Sequence, residues 1–140
     1  MHIKDYLNLK VEQYNNPSFI EDDPISIPHI FSKKEDIEIS AFLTATISWG
    51  QRKTIIKNAK RIIELMDLSP YDFVKNHSKL DLIPLSKFVH RTFNGRDLIF
   101  FVLSLKNIYL NHGGLENLFI PESTNENMSK VIHQMKKTFF

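Results

Sequence analysis

Arg52, Lys53, Lys57, Lys60 and Arg61 fall within one helical pattern with no acid between them. Lys53, Lys57 and Lys60 share a face of that helix. Such a stripe can neutralise the phosphates of nucleic acid. It also reads as an ordinary solvated, lysine-rich helix face. The acids Glu35, Asp36 and Glu38 suit a general acid or a metal ligand. They stand where a helix N-terminus attracts negative charge, so the capping role is favoured. Asp22-Asp23-Pro24 reads first as a turn. His2, His29, His77, His90, His112 and His133 are scattered, with no partner three or four residues on that would build a metal face. They are expected at the surface or as caps. No Walker loop, dinucleotide glycine fingerprint or HExxH motif is present. The expectation is therefore no metal, no cofactor and no catalytic residue in this chain.

These side chains need helices to position them. Ile3, Leu7, Val11 and Tyr14 recur at helical spacing, and Asn15-Asn16-Pro17 stops that helix. Residues 21–29 hold Asp22, Asp23, Pro24 and Pro28 and are expected to form a surface loop. Ser32 and Glu35 have capping-box spacing for a second helix. Its residues Ile37, Ile39, Ala41, Phe42, Leu43, Ala45 and Ile47 are apolar nearly all round, which marks a central helix. Gly50 is expected to cap its end. A third helix over 52–66 carries the stripe Ile55, Ile56, Ala59, Ile62, Ile63 and Met66 opposite the lysines. Ser69-Pro70 opens a short helix, with Asp72 completing its cap. Asn94-Gly95-Arg96-Asp97 opens a long one, which Gly113-Gly114 ends. A last helix starts near Ser123, with Glu126 as capping partner and Val131, Ile132, Met135 and Phe139 on its apolar face.

The 140 residues are 42% hydrophobic and 24% charged, as in one globular domain spanning 1–140. The absence of cysteine removes disulfides and thiolate metal sites and suits a reducing, cytoplasmic setting. The first ten residues lack the apolar core of a signal peptide. The longest strongly apolar stretch, 98–105, is too short to span a bilayer, so no membrane role is expected. The net charge of +2 argues nothing by itself; its distribution matters more. Phe139-Phe140 ends an open amphipathic pattern with no cap or polar tail, as in the N-terminal part of a longer protein. The alternative is a terminal helix whose Phe pair docks on the core.

The runs Asp36-Ile37-Glu38-Ile39-Ser40-Ala41-Phe42-Leu43 and Ala45-Thr46-Ile47-Ser48-Trp49-Gly50-Gln51-Arg52-Lys53-Thr54-Ile55-Ile56 resemble an uncharacterised bacterial family, domain of unknown function twenty-four hundred. Ile27-Pro28-His29 and Asn94-Gly95-Arg96-Asp97-Leu98 resemble it too. The resemblance covers nearly the whole chain. It implies a protein that continues past Phe140, and no established activity. More weakly, the 39–48 helix followed by Gly50-Gln51 is similar to the start of helix-hairpin-helix DNA glycosylases, the endonuclease-three-like enzymes. In those enzymes the glutamine between two helices fills the gap left by an extruded base. Only Gln51 matches that role; Arg52 stands where those enzymes often carry a small or hydroxyl residue. A glycine-rich hairpin, an assignable lysine nucleophile and a following aspartate are missing. Gly113-Gly114 lies at a helix end and runs into Leu115-Glu116.

The reading is an all-α, irregular bundle of about six or seven helices around the 37–47 and 98–109 segments. It is expected to bind duplex DNA through Gln51, Arg52, Lys53, Lys57 and Lys60. Gln51 would probe the duplex and the cations would contact phosphates. The alternative is a non-catalytic helical interaction module that meets a protein partner or a second copy through an exposed surface near Val131, Met135, Phe139 and Phe140.

Overall fold

Two helices with apolar residues on several sides form the middle of the molecule. The computed structural model describes residues 2–121 and 127–140. In it α3 (Lys34–Thr46) buries Ile39 and Leu43, and α6 (Gly95–Asn111) buries Leu98, Val102, Leu105 and Ile108. Around them lie α1 (Ile3–Tyr14), α2 (Ser18–Glu21), α4 (Arg52–Leu65), α5 (Pro70–Asn76), α7 (Leu115–Phe119) and α8 (Met128–Phe139). The all-α expectation holds. The count among the described residues is eight α-helices rather than six or seven, because α2 and α7 are too short to show a period.

The start of α6 follows the sequence rule closely. Asn94 Oδ1 accepts from the Arg96 N–H at 2.9 Å, and Asp97 Oδ2 accepts from the Asn94 N–H at 2.8 Å, a complete capping box. Gly95 meets a close approach. A Cβ there would stand 2.6 Å from the Leu85 carbonyl oxygen and closer still to the backbone of Ser86. Only glycine lets the first turn of α6 rest on the 3-10 turn Pro84–Lys87.

Several expectations are corrected. Ser32 and Glu35 form no capping box: Lys33 is the N-cap of α3, with no side-chain cap. The acids behind it reach across the fold instead. Asp36 Oδ1 accepts from the Tyr71 N–H at 2.8 Å, capping the first turn of α5 in place of Asp72, and Glu38 Oε2 accepts from the Tyr109 hydroxyl at 2.7 Å. Residues 21–29 do not simply cross the surface. Prolines lead the 3-10 turns Pro24–Ser26 and Pro28–Ile30, Asp23 Oδ1 accepts from the Ile25 N–H at 3.0 Å, and Ile27 and Pro28 are buried. Gly50 has φ +117° but stands beyond the end of α3, within the α3–α4 connection. Phe139 is only 3% exposed, and its ring centroid lies 4.8 Å from that of Phe101. Val131 is buried as well, leaving Phe140, 76% exposed, as the open member of the terminal pair. The expected start of the last helix at Ser123, and Glu126, lie outside the described residues; α8 is capped by Asn127, whose Oδ1 accepts from the Ser129 N–H at 2.9 Å. No described helix is long and apolar enough to cross a membrane.

Candidate nucleic-acid interface

Helix α4 forms because Ile55, Ala59, Ile62 and Ile63 repeat at helical spacing and bury one side. The same spacing turns Lys53, Lys57, Lys60 and Arg61 outward, and all four are exposed. Arg61 Nη1 lies 3.7 Å from Glu64 Oε2. Lys53, Lys57 and Lys60 join no salt bridge among the described residues. Their side chains border an open groove of about 620 Å³ that also includes Ile56, Asn58 and Glu64. Asn58 and Arg61 border a second groove of about 230 Å³, lined further by Lys87 and Val89. The two share walls and join α4 to the segment before α6.

Gln51 is exposed at the N-cap of α4, with φ −75° and ψ 128°, and its side chain makes no capping hydrogen bond. Arg52, also exposed, places its guanidinium carbon 5.8 Å from the centre of the Phe19 ring. The five sequence-selected residues therefore lie on one helix and its leading corner, with Arg52 leaning towards α2.

Several further residues hold that corner, and the sequence reading passed over them. The two-residue strands β1 (Val89–His90) and β2 (Phe93–Asn94) pair antiparallel with His90 opposite Phe93. His90 is 2% exposed, which corrects its expected surface position. Its Nδ1 lies 2.8 Å from Asn58 Nδ2, and its Nε2 lies 3.2 Å from the Trp49 carbonyl oxygen. The pairing implies that the Asn58 amide donates to Nδ1 while Nε2–H donates to the carbonyl. A buried imidazole thus ties α4, the α3–α4 connection and the hairpin together. Trp49 sits edge-on to it, ring centroids 5.9 Å apart at 83°.

Arg91, at the hairpin tip, has φ +55°. The first position of such a tight mirror turn normally goes to glycine. Its guanidinium carbon stands 4.8 Å from the centre of the Trp49 ring. A Cβ on Gly50 would meet Arg91 Nη1 at 3.2 Å, so glycine makes room for that stack. No long alternation and no Asn-Gly or Asp-Gly turn marks the hairpin in the sequence. The arginine in its turn shows only through its backbone angle.

Among the described residues, no three His, Asp or Glu side chains converge as a metal site would require. The arrangement offers cations, a planar cation–aromatic pair and an uncommitted amide, which are tools for binding. No curated protein and no solved structure matches the chain. A family model described as Protein of unknown function (DUF2400) matches residues 23–140, taking in the α3–α4 corner, all of α4 and the hairpin, and the chain belongs to that family.

Proposed function

We propose that this chain is a DNA-binding helical module, related to the helix-hairpin-helix DNA glycosylases, and that α4 is its contact face. Lys53, Lys57 and Lys60 hold backbone phosphates, Arg52 and the first turn of α4 hold the phosphate nearest the corner, and Gln51 probes the stacked bases. The observation that carries this reading is the exposed lysine face bordering the open groove, which joins no salt bridge among the described residues. Gln51 supports it, since a probing residue must be exposed and free of capping duty. The role is binding; no catalytic residue is assigned.

The test is fluorescence anisotropy with a labelled DNA duplex at modest salt. Replacing Lys53, Lys57 and Lys60 together with glutamate is expected to abolish binding while helicity is retained. Binding unchanged by the triple substitution would refute the reading.

A second reading, a helical interaction module, is favoured by one observation. Ile3, Leu7 and Val11 on α1 are each more than half exposed, as is Phe140. Exposed side chains such as these, rather than Phe139, would meet a second copy. A monodisperse monomer in light scattering at high concentration contradicts that reading.

A further inference from the structure

We propose that Trp49 and Arg91 form a stacking platform for an unpaired nucleobase of a DNA strand. The inference rests on the DNA-binding reading and names the element of DNA that the corner takes. Trp49 is 40% exposed, yet it is held in place. Its backbone N–H donates to the Ile47 carbonyl at 2.8 Å, its backbone carbonyl accepts from the buried His90, and its ring meets the His90 ring edge-on. A tryptophan that served the core would bury its ring; this one is braced from beneath and left open to solvent.

Arg91 adds a planar cation to that ring at 4.8 Å. Its φ of +55° is a conformation that costs a non-glycine residue free energy and persists only where the surroundings enforce it. Glycine in that turn would fold more easily, so the arginine side chain is what the position supplies. Gly50 leaves room for its guanidinium against the indole. Aromatic faces and guanidinium planes both stack on bases, whatever the sequence. Gln51, two residues after Trp49, would enter the gap that a displaced base leaves. The lysines of α4 would hold the flanking backbone. Flat, planar and cationic, the platform fits a base out of its duplex stack and offers nothing to a base still paired within it.

Trp49 is the one tryptophan in the chain, so its fluorescence reports on this site alone. The experiment titrates the 140-residue protein with three short labelled duplexes: fully paired, with one unpaired thymine, and with a baseless linker in the thymine's place. The unpaired thymine is expected to quench Trp49 and to bind about tenfold more tightly than the paired duplex, as one stacked base contributes. The baseless linker is expected to do neither. Trp49→Leu and Arg91→Gly are each expected to lose the thymine preference and to keep binding to the paired duplex. Arg91→Gly relieves the positive φ and is expected to keep the fold, so it decides the matter should Trp49→Leu unfold. Equal affinity for the three duplexes with unquenched Trp49 would overturn the platform and leave the phosphate-binding reading standing. Failure to bind any of them would overturn both.

Discussion

Where α6 meets α8, the rings of Phe42, Phe101 and Phe139 lie with centroids between 4.8 and 6.0 Å apart, and the Ser104 hydroxyl donates to the Phe139 carbonyl at 2.9 Å. Where α3 meets α4, the corner holds a buried histidine, a glycine at φ +117°, an arginine at φ +55° and a half-open tryptophan. The aromatic end is held by contact area, which is non-directional and tolerant of small shifts. The corner is held by a few directional bonds from His90, which fix where Trp49 and Arg91 stand. The first arrangement serves stability. The second carries backbone strain at Arg91 beside a half-open tryptophan held by directional bonds.

Substitutions in the two regions are expected to separate stability from binding. Phe139→Ala removes a nearly buried ring and is expected to cost about 3–5 kcal/mol. DNA affinity of the molecules that remain folded should be unaltered, as read by denaturant unfolding beside anisotropy. His90→Ala leaves the Asn58 amide and the Trp49 carbonyl without their partner inside the fold, a loss of about 1–3 kcal/mol. There the binding response should change too, with altered Trp49 emission in the folded protein. If His90→Ala weakens the fold and leaves Trp49 emission and binding untouched, the corner is ordinary core.

The smallest effect is a control at a pair that belongs to neither region. Burial of the Tyr109 phenol, then its bond to the Glu38 carboxylate and that group's charge, push its pKa upward. A raised folded pKa means that this stability is present below the ordinary phenol value of about 10 and is lost as pH rises beyond it. Tyr109→Phe should therefore flatten the alkaline fall of the unfolding midpoint and leave DNA binding at neutral pH unaltered.

Much of the scaffold was legible because its signals are local. Helix α1 matches its apolar repeat, α4 its isoleucine stripe, and the start of α6 its Asn-Gly-Arg-Asp capping box. The lysine face was legible for the same reason: a period that buries the isoleucines must turn the lysines outward. The brace behind the corner was not. His90 finds Asn58 and Trp49 across long stretches of chain, and nothing near it in sequence announces either partner. The strands of the hairpin are two residues long, too short for alternation, and their turn carries Arg-Thr in place of a glycine pair. Ile27 is hidden from the sequence because proline and aspartate signal a surface loop, whereas here they build 3-10 turns that aim an isoleucine inward.

Neutralisation of phosphates by the lysines of α4 would show in the salt dependence of duplex binding. Removing one lysine–phosphate ion pair makes the slope of log affinity against log salt shallower by about 1. Wild type is to be compared with the protein in which Lys53, Lys57 and Lys60 are replaced by glutamine. A slope shallower by about 3 is the expected result. An identical slope in both proteins would contradict the account, because the face on which it rests would then touch no phosphate.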